Sequence, residues 1–168
     1  MSLPEYYSSQ ILTTSINIEP QYIKGDISKL ILYNIKKRYE GVCNKDGYIE
    51  KDSIELINRS IGESRIIDNK SYIIYHITYK ACIVSPSIGN VLKCIVNSNN
   101  KMGLIGCIKK KDTDTIKDSP FIIIVPAEFY DDPDILSTIK IGDTVEVKIE
   151  NFRTKYLAKQ IQIVARPT

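Results

Sequence analysis

Residues 71–84 contain the longest run of alternating side chains in the chain, with isoleucine, tyrosine and alanine at every second position. A period of two built from β-branched and aromatic residues is typical of a strand with one buried face. A strand of this length can leave one sheet and carry the chain into another. Pro86 and Gly89 follow it and interrupt any regular element. We therefore predict two domains, residues 1–84 and residues 85–168.

The first predicted domain begins with a strand, a helix and a hairpin. Residues 10–18 alternate as a strand does, and Asp26 is a suitable cap for a helix over residues 27–39. Gly41 is well placed to end that helix. Residues 39–49 then predict a tight hairpin, because Asn-Lys-Asp-Gly concentrates turn residues between two short apolar pieces.

The second predicted domain contains five short strands, with a longer link between the third and the fourth. They are residues 91–96, 102–108, 121–125, 144–150 and 157–164. This arrangement matches the Greek-key OB barrel, whose usual ligand surface is strands two and three with the loops joining strands one to two and four to five. The predicted fold class is α+β and mostly β, ending in a five-stranded OB-fold barrel.

Composition favours a globular chain over a disordered or membrane-spanning one. Of the 168 residues, 43% are hydrophobic and 26% are charged, which is the balance of ordinary folded domains. No apolar run approaches the roughly 20 residues that a membrane helix needs. Residues 1–5 have neither the basic start nor the apolar core of a signal peptide. We expect a soluble intracellular protein with no membrane partner.

The net charge of +3 is small for a protein that binds nucleic acid mainly through phosphates. Any RNA or DNA contact must then be local and weak, or shared with a partner. The best candidate is the run 151–156, predicted to lie between strands four and five, where aromatic rings alternate with cations. The candidate residues are Phe152, Arg153, Lys155 and Tyr156, with Lys93 and Lys101 extending the same surface. An equal alternative is a turn in which Phe152 and Tyr156 pack under the barrel.

Neither an enzyme nor a metal site is indicated by the sequence. Carboxylates are scattered, and there is neither a glycine-rich phosphate loop after a strand nor a recognisable nucleophile arrangement. His76 is the only histidine and has no ligand-type neighbours at metal spacing. We expect no cofactor. The four cysteines form no Cys-x-x-Cys pair and are expected to be buried, reduced thiols; they are Cys43, Cys82, Cys94 and Cys107.

Three segments carry a resemblance in their order along the chain. A strand ends in Ile18-Glu19-Pro20, the helix leads into Tyr39-Glu40-Gly41-Val42-Cys43 and Gly47-Tyr48-Ile49, and the barrel is entered through Pro86, Gly89 and Val91. Together they resemble the stalk subunit of multi-subunit DNA-dependent RNA polymerases, the seventh-largest subunit of eukaryotic polymerase II with archaeal and large-DNA-virus relatives. The resemblance implies a truncated RNP-like amino-terminal domain before the OB-fold RNA-binding domain.

The function implied by this resemblance is non-catalytic. The tip of the amino-terminal domain would dock on the RNA polymerase core subunits near the clamp, and the barrel would contact nascent single-stranded RNA. A small helical stalk partner is also implied, as is a place in the transcription machinery, in the nucleus of a cell or in a viral factory and virion. The docking residues are Glu19, Pro20, Tyr22, Glu40, Gly41, Val42, Cys43, Gly47, Tyr48 and Ile49.

This chain departs from the family pattern at one place, and a second function is open. The family usually has Phe-Gly after the proline, whereas here Tyr22-Ile23 precedes Gly25. The alternative function is a free-standing single-stranded RNA-binding protein of translation-factor type, with an OB fold and an unrelated front domain. In that case residues 39–49 form a hairpin and nothing more.

Overall fold

The computed structural model describes residues 4–109 and 113–168. Its contacts divide the chain into two compact units. The first comprises the chain up to Gly41 together with Ile49–Ile83, and the second comprises Val42–Tyr48 with Val84–Thr168. The fold class predicted from the sequence is confirmed, since the structure is mostly β and contains a closed five-stranded barrel of OB type.

The strands and helices have the following bounds. The strands are β1 (Tyr7–Ile18), β2 (Cys43–Asn44), β3 (Gly47–Ile49), β4 (Glu55–Arg59), β5 (Glu63–Ile67), β6 (Lys70–Val84), β7 (Val91–Asn100), β8 (Gly103–Cys107), β9 (Phe121–Pro126), β10 (Thr144–Arg153) and β11 (Ile161–Pro167). The helices are α1 (Ile27–Tyr39) and α2 (Pro133–Thr138), and short 3-10 turns lie at Pro20–Tyr22, Ile116–Asp118 and Ala127–Phe129.

In the first unit, β6 is the strand on which the other elements are assembled. Strand β5 pairs with its first residues and β4 with its middle, both antiparallel. Nearer the end of β6, past the residues that pair with β4, the amide of Glu50 donates to the carbonyl of Cys82. The alternation predicted for β6 is observed: Tyr75, Ile77, Tyr79, Ala81 and Ile83 are buried.

Helix α1 packs its apolar face on this sheet. Asp26 caps it, because its Oδ1 accepts from the backbone amides of Ser28 and Lys29. Ile31 and Ile35 lie on the buried face and belong to the same core as the odd-numbered side chains of β6. Amphipathic burial of this kind holds a short helix that would be marginal alone.

The second unit contains the barrel, with strand order β10-β11-β9-β8-β7 and β10 closing antiparallel on β7. Strands β9 and β11 run parallel and the other pairs are antiparallel. Phe121, Ile123, Ile161 and Ile163 are fully buried inside it. A Cβ on Gly106 would lie 2.2 Å from Cys94 Sγ, so only glycine fits there.

Three strand boundaries differ from the prediction, and two of them, in β7 and β10, have a common reason. Strand β7 continues through Asn100, where we expected a polar loop, and β10 continues through Arg153. Strand β11 begins only at Ile161. A register shift lies between Val96 and Ser98 in β7, and another between Ile149 and Asn151 in β10. Because a bulge changes which side chains face inward, the period of two breaks although the strand goes on.

Candidate nucleic-acid and docking site

The central hairpin is held by its own turn chemistry. Cys43 pairs with Tyr48 and Asn44 with Gly47. Asn44 Oδ1 accepts from the backbone amides of Asp46 and Gly47, at 2.8 and 3.0 Å. Gly47 has φ of 145°, a conformation that glycine adopts without strain. The short, polar sequence of the turn thus fixes the hairpin locally.

Two backbone hydrogen bonds join this hairpin to the loop between β10 and β11. The amide of Cys43 donates to the carbonyl of Ala158, and the amide of Leu157 donates to the carbonyl of Cys43, both at 2.8 Å. Leu157 takes φ of 63° to make this contact. Residues 43–48 and 154–160 therefore form one continuous feature of the second unit, which we call the hairpin–loop surface.

The predicted docking residues differ widely in exposure. Pro20 is exposed and Tyr22 is 62% exposed, whereas Glu19 is half-buried. Cys43, Gly47, Tyr48 and Ile49 are buried, and Glu40, Gly41 and Val42 are half-buried. The two units share this set, with Glu19, Pro20, Tyr22, Glu40, Gly41 and Ile49 in the first and the others in the second. The sequence did not predict which members reach the surface.

Glu40 performs a local structural role. Its carboxylate accepts from the amide of Ile54 at 3.3 Å, and Lys36 Nζ lies 3.9 Å from it one helical turn earlier. The amide of Gly41 donates to the carbonyl of Ile49. These contacts tie the end of α1 to the segment that follows the hairpin.

The Cys43 thiol is a buried structural group. Its side chain is 1% exposed, and burial raises the pKa of the thiol to about 11. Burial also raises the pKa of Cys94 to about 12, and that of Cys107. A thiol held protonated at neutral pH is a poor nucleophile and metal ligand. Three of the four cysteines are buried as expected, and Cys82 is half-buried.

The aromatic and basic run divides between strand and loop. Phe152 lies opposite Ile163, which is fully buried, so the Phe152 ring is on the inner side of the barrel sheet and half-buried. Arg153 lies opposite the exposed Gln162 and faces outward. Tyr156 is 66% exposed in the loop. Phe152 thus packs against the barrel, as the structural alternative predicted. The ring of Tyr156 is exposed and could stack on a base.

A further cation in the loop was missed in the sequence. Lys155 and Lys159 are both exposed, and the amide of Ala158 donates to the carbonyl of Lys155, which folds the loop back on itself. Lys159 was not singled out because its neighbours along the chain, Ala158 and Gln160, carry no aromatic or basic signal. Lys159 is thus a further exposed residue of the loop beside Lys155 and Tyr156.

Lys93 and Lys101 do not join this loop. Lys101 precedes Gly103, which pairs with Pro126 at one end of β9, whereas Ile161 pairs with Phe121 at the other end. Five residues of strand separate those ends by roughly 17 Å. Lys93 lies on β7 directly opposite Glu146, whose charge opposes its own.

The outer face of β8 and β9 is aliphatic. Ile105 lies opposite Ile124, which in turn lies opposite Val164 of β11. Ile124 is 36% exposed and the other two are half-buried. Single-stranded nucleic acid is usually bound by rings and cations. The face that OB barrels commonly use therefore offers little to RNA here, which leaves the loop as the better-suited surface.

His76 forms a simple surface contact. Its Nδ1 lies 2.9 Å from Ser15 Oγ on an exposed part of the sheet. Within residues 4–109 and 113–168, no group of three or more histidine, cysteine or carboxylate side chains is arranged to hold a metal ion. In the same residues, every helix falls short of the length and hydrophobicity required to cross a membrane.

Comparison with known proteins shows a similarity to an RNA polymerase subunit. No family model matches the chain. Over 95 residues it is 24% identical to DNA-directed RNA polymerase II subunit RPB7 of Glycine max. The match covers 55% of this chain and 52% of that protein. The chain thus spans about half the length of this relative, and over that half it is similar to a subunit of RNA polymerase II.

Proposed function

We propose that the chain is a non-catalytic stalk subunit of a multi-subunit DNA-dependent RNA polymerase. The observation that carries the proposal is the 95-residue match to a polymerase II subunit, in a chain whose second unit closes into an OB-type barrel.

In this proposal, docking on the polymerase core uses two kinds of residue. Pro20 and Tyr22 are exposed and supply contact area, as do Lys45 and Asp46 at the tip of the hairpin. The buried members set the shape of the surface and touch no partner. They are Cys43, Gly47, Tyr48 and Ile49. An exposed tyrosine is a favourable interface anchor because it buries a large ring at small conformational cost.

Contact with emerging single-stranded RNA uses the last residue of β10 and the loop of the hairpin–loop surface. Arg153, Lys155 and Lys159 supply three cations for phosphates, and Tyr156 supplies a ring on which a base can stack. The two backbone hydrogen bonds to Cys43 fix the backbone of the loop that carries the ring and two of the cations. The binding is weak and tolerant of sequence, because stacking and phosphate contacts do not read base edges.

Native purification of the tagged full chain tests the docking proposal. We expect the large polymerase subunits to co-purify with the wild type and to be lost with Tyr22→Ala. Tyr33→Ala is the matched control, because Tyr33 is also 62% exposed but lies on α1. Mass spectrometry of the co-eluting chains provides the measurement.

Two results contradict the docking proposal. If the wild-type chain elutes alone from native extract, the stalk function is wrong and the free-standing RNA-binding protein replaces it. If polymerase subunits co-purify equally with wild type, Tyr22→Ala and Tyr33→Ala, the chain is a subunit but Tyr22 is no anchor.

A further inference from the structure

A cleft lies in the second unit beside the turn between β7 and β8. Its volume is about 740 Å³, which is within the range of natural binding pockets. Helix α2 and the 3-10 turn Ala127–Phe129 contribute to its lining. The apolar lining residues are Ala127, Pro133, Leu136, Ile139 and Ile141. Neither the barrel loop nor the hairpin contributes to this cleft.

The polar groups in the walls are largely engaged in holding α2. Asn99 Nδ2 donates to the carbonyls of Leu136 and Ile139, and Ser137 Oγ donates to the carbonyl of Asp134 at 2.6 Å. Sites for small polar molecules depend on several converging polar groups that remain available. Asn99 Oδ1 has no partner in the described residues, but the atom is buried and is not available to an occupant. The cleft therefore favours an apolar occupant.

The rim of the cleft is acidic. Glu128 lines it, and Asp131, Asp132 and Asp134 lie around Pro133 in the sequence. All four are exposed, and none forms an ion pair with another described residue. Lys101 is the one cation in the lining, and Lys140 lies between the lining residues Ile139 and Ile141 in the sequence, so carboxylates still outnumber lysines around the cleft. Excess negative charge repels phosphate and attracts lysine or arginine, so a nucleic acid is disfavoured here.

Exposed apolar side chains continue beyond the cleft. Ile141, in its lining, is 73% exposed, and Ile135 on α2 is 45% exposed. Met102, beside Lys101 in the turn, is 85% exposed. Large apolar side chains grouped around a cleft and rimmed by charge mark a protein-binding surface.

We propose that this cleft binds a basic amphipathic segment of a protein partner. Apolar side chains of the segment occupy the space between Leu136 and Ile141, and its lysines or arginines lie against Glu128 and Asp131. This is the helix-in-groove mode of recognition, in which apolar anchors give affinity and complementary charge gives orientation. The inference is independent of the docking and RNA contacts proposed above, since it uses a different surface.

The test uses the full chain and two synthetic peptides. Both have leucine at i, i+3, i+4 and i+7, and the remaining positions are lysine and arginine in one and glutamate in the other. Fluorescence anisotropy measures binding, and amide chemical shifts locate it. We expect the basic peptide alone to bind and to shift the amides of Lys101, Glu128 and Ile141.

Variants show whether the cleft is the site. Two variants should each lower the affinity for the basic peptide about tenfold or more: Ile141→Ser, and the double variant Glu128→Lys with Asp131→Lys. All three positions are exposed, so folding should be retained. Asp132 is left unchanged because its side chain caps α2. The matched controls are Ile66→Ser, at a 78% exposed isoleucine, and Glu55→Lys with Glu63→Lys, which should bind like the wild type.

Four results would overturn the proposal. They are equal binding of the two peptides, shifts confined to other residues, equal weakening in the control variants, and absence of binding by the basic peptide. Displacement of the peptide by single-stranded RNA, with the same amides shifting, would assign the cleft to nucleic acid. If the wild type binds no peptide but sediments as a dimer, and Ile141→Ser sediments as a monomer, the cleft would be assigned to a second copy of the chain.

Discussion

Single residues in this chain show how local position decides chemical role. Cys43 lies in the short piece that resembles a docking motif, yet its thiol is 1% exposed and both its backbone groups are hydrogen-bonded to the barrel loop. Tyr22 and Tyr156, by contrast, are each more than 60% exposed, at 62% and 66%. A residue of the first kind maintains a shape, and one of the second kind can bind a partner.

The Cys43 thiol should make stability fall at alkaline pH. Its pKa of about 11 in the folded chain lies above the ordinary 9.0, so the unfolded state loses its proton first. Unfolding is then favoured as pH rises from about 9 towards about 11. We expect urea denaturation to show this loss of unfolding free energy, and a smaller loss in Cys43→Ala.

The wild type and Cys43→Ala share the same tyrosines and lysines, so the difference between their pH profiles excludes the titration of those residues. Cys82→Ala is a useful second control, because it removes a half-buried thiol at another place in the fold. Parallel pH profiles for the wild type and Cys43→Ala would contradict the prediction.

Some elements in this fold are joined by contacts that the sequence of neither element predicts. Strands β2 and β3 form a short hairpin, and the loop between β10 and β11 crosses beside it. The backbone of Leu157 adopts a left-handed conformation, which costs a residue with a Cβ roughly 1–2 kcal/mol. The hydrogen bond from the Leu157 amide to Cys43 compensates for part of that strain.

Replacing Leu157 by glycine should therefore retain or raise stability. Glycine adopts φ of 63° without a steric penalty, and the leucine side chain is 51% exposed, so little burial is lost. We expect Leu157→Gly to be more stable than Leu157→Ala by about 1 kcal/mol. Chemical denaturation measures this difference. Equal stability of the two variants would mean that the left-handed conformation is not maintained in solution.

The whole molecule carries too little charge for a general attraction to nucleic acid. Its formal net charge is +3, and the acidic rim at Glu128, Asp131, Asp132 and Asp134 lies within the same unit as the barrel loop. Electrostatic attraction of RNA must come from the local cations of the loop rather than from the field of the protein.

The triple variant Arg153→Ala, Lys155→Ala and Tyr156→Ala should reduce single-stranded RNA binding. Each phosphate contact that is lost lowers the slope of log affinity against log salt by about 0.7, so removing two cations should lower it by about 1.4. A titration with unstructured RNA at several salt concentrations measures this slope. Tyr33→Ala with Lys70→Ala and Lys80→Ala is the control, removing one tyrosine and two exposed lysines elsewhere.

An unchanged slope in the triple variant would show that the loop does not contact RNA phosphates. A slope that falls equally in the control would show that charge acts through the whole protein. Only a fall confined to the triple variant supports the loop as the site.

Sequence patterns predicted the regular elements well where local rules apply. Helix α1 was predicted with the bounds that are observed, because the Asp26 cap and the spacing of Ile31 and Ile35 are local signals. Strand β5 was missed, since all its residues are exposed and show no alternation of burial. The candidate site was predicted only in part, because exposure depends on what packs over each residue.

The sequence by itself determined the strand-rich composition of the fold, the capped helix, the hairpin turn and the number of barrel strands, since periodicity, capping and turn chemistry act between near neighbours. Tertiary structure alone decided three things. The bulge after Ile149 turned Phe152 inward, the pairing of Cys43 with Leu157 and Ala158 joined the hairpin to the barrel loop, and strand register placed Lys101 away from that loop. Each depends on pairing between segments distant in the chain, which no local pattern encodes.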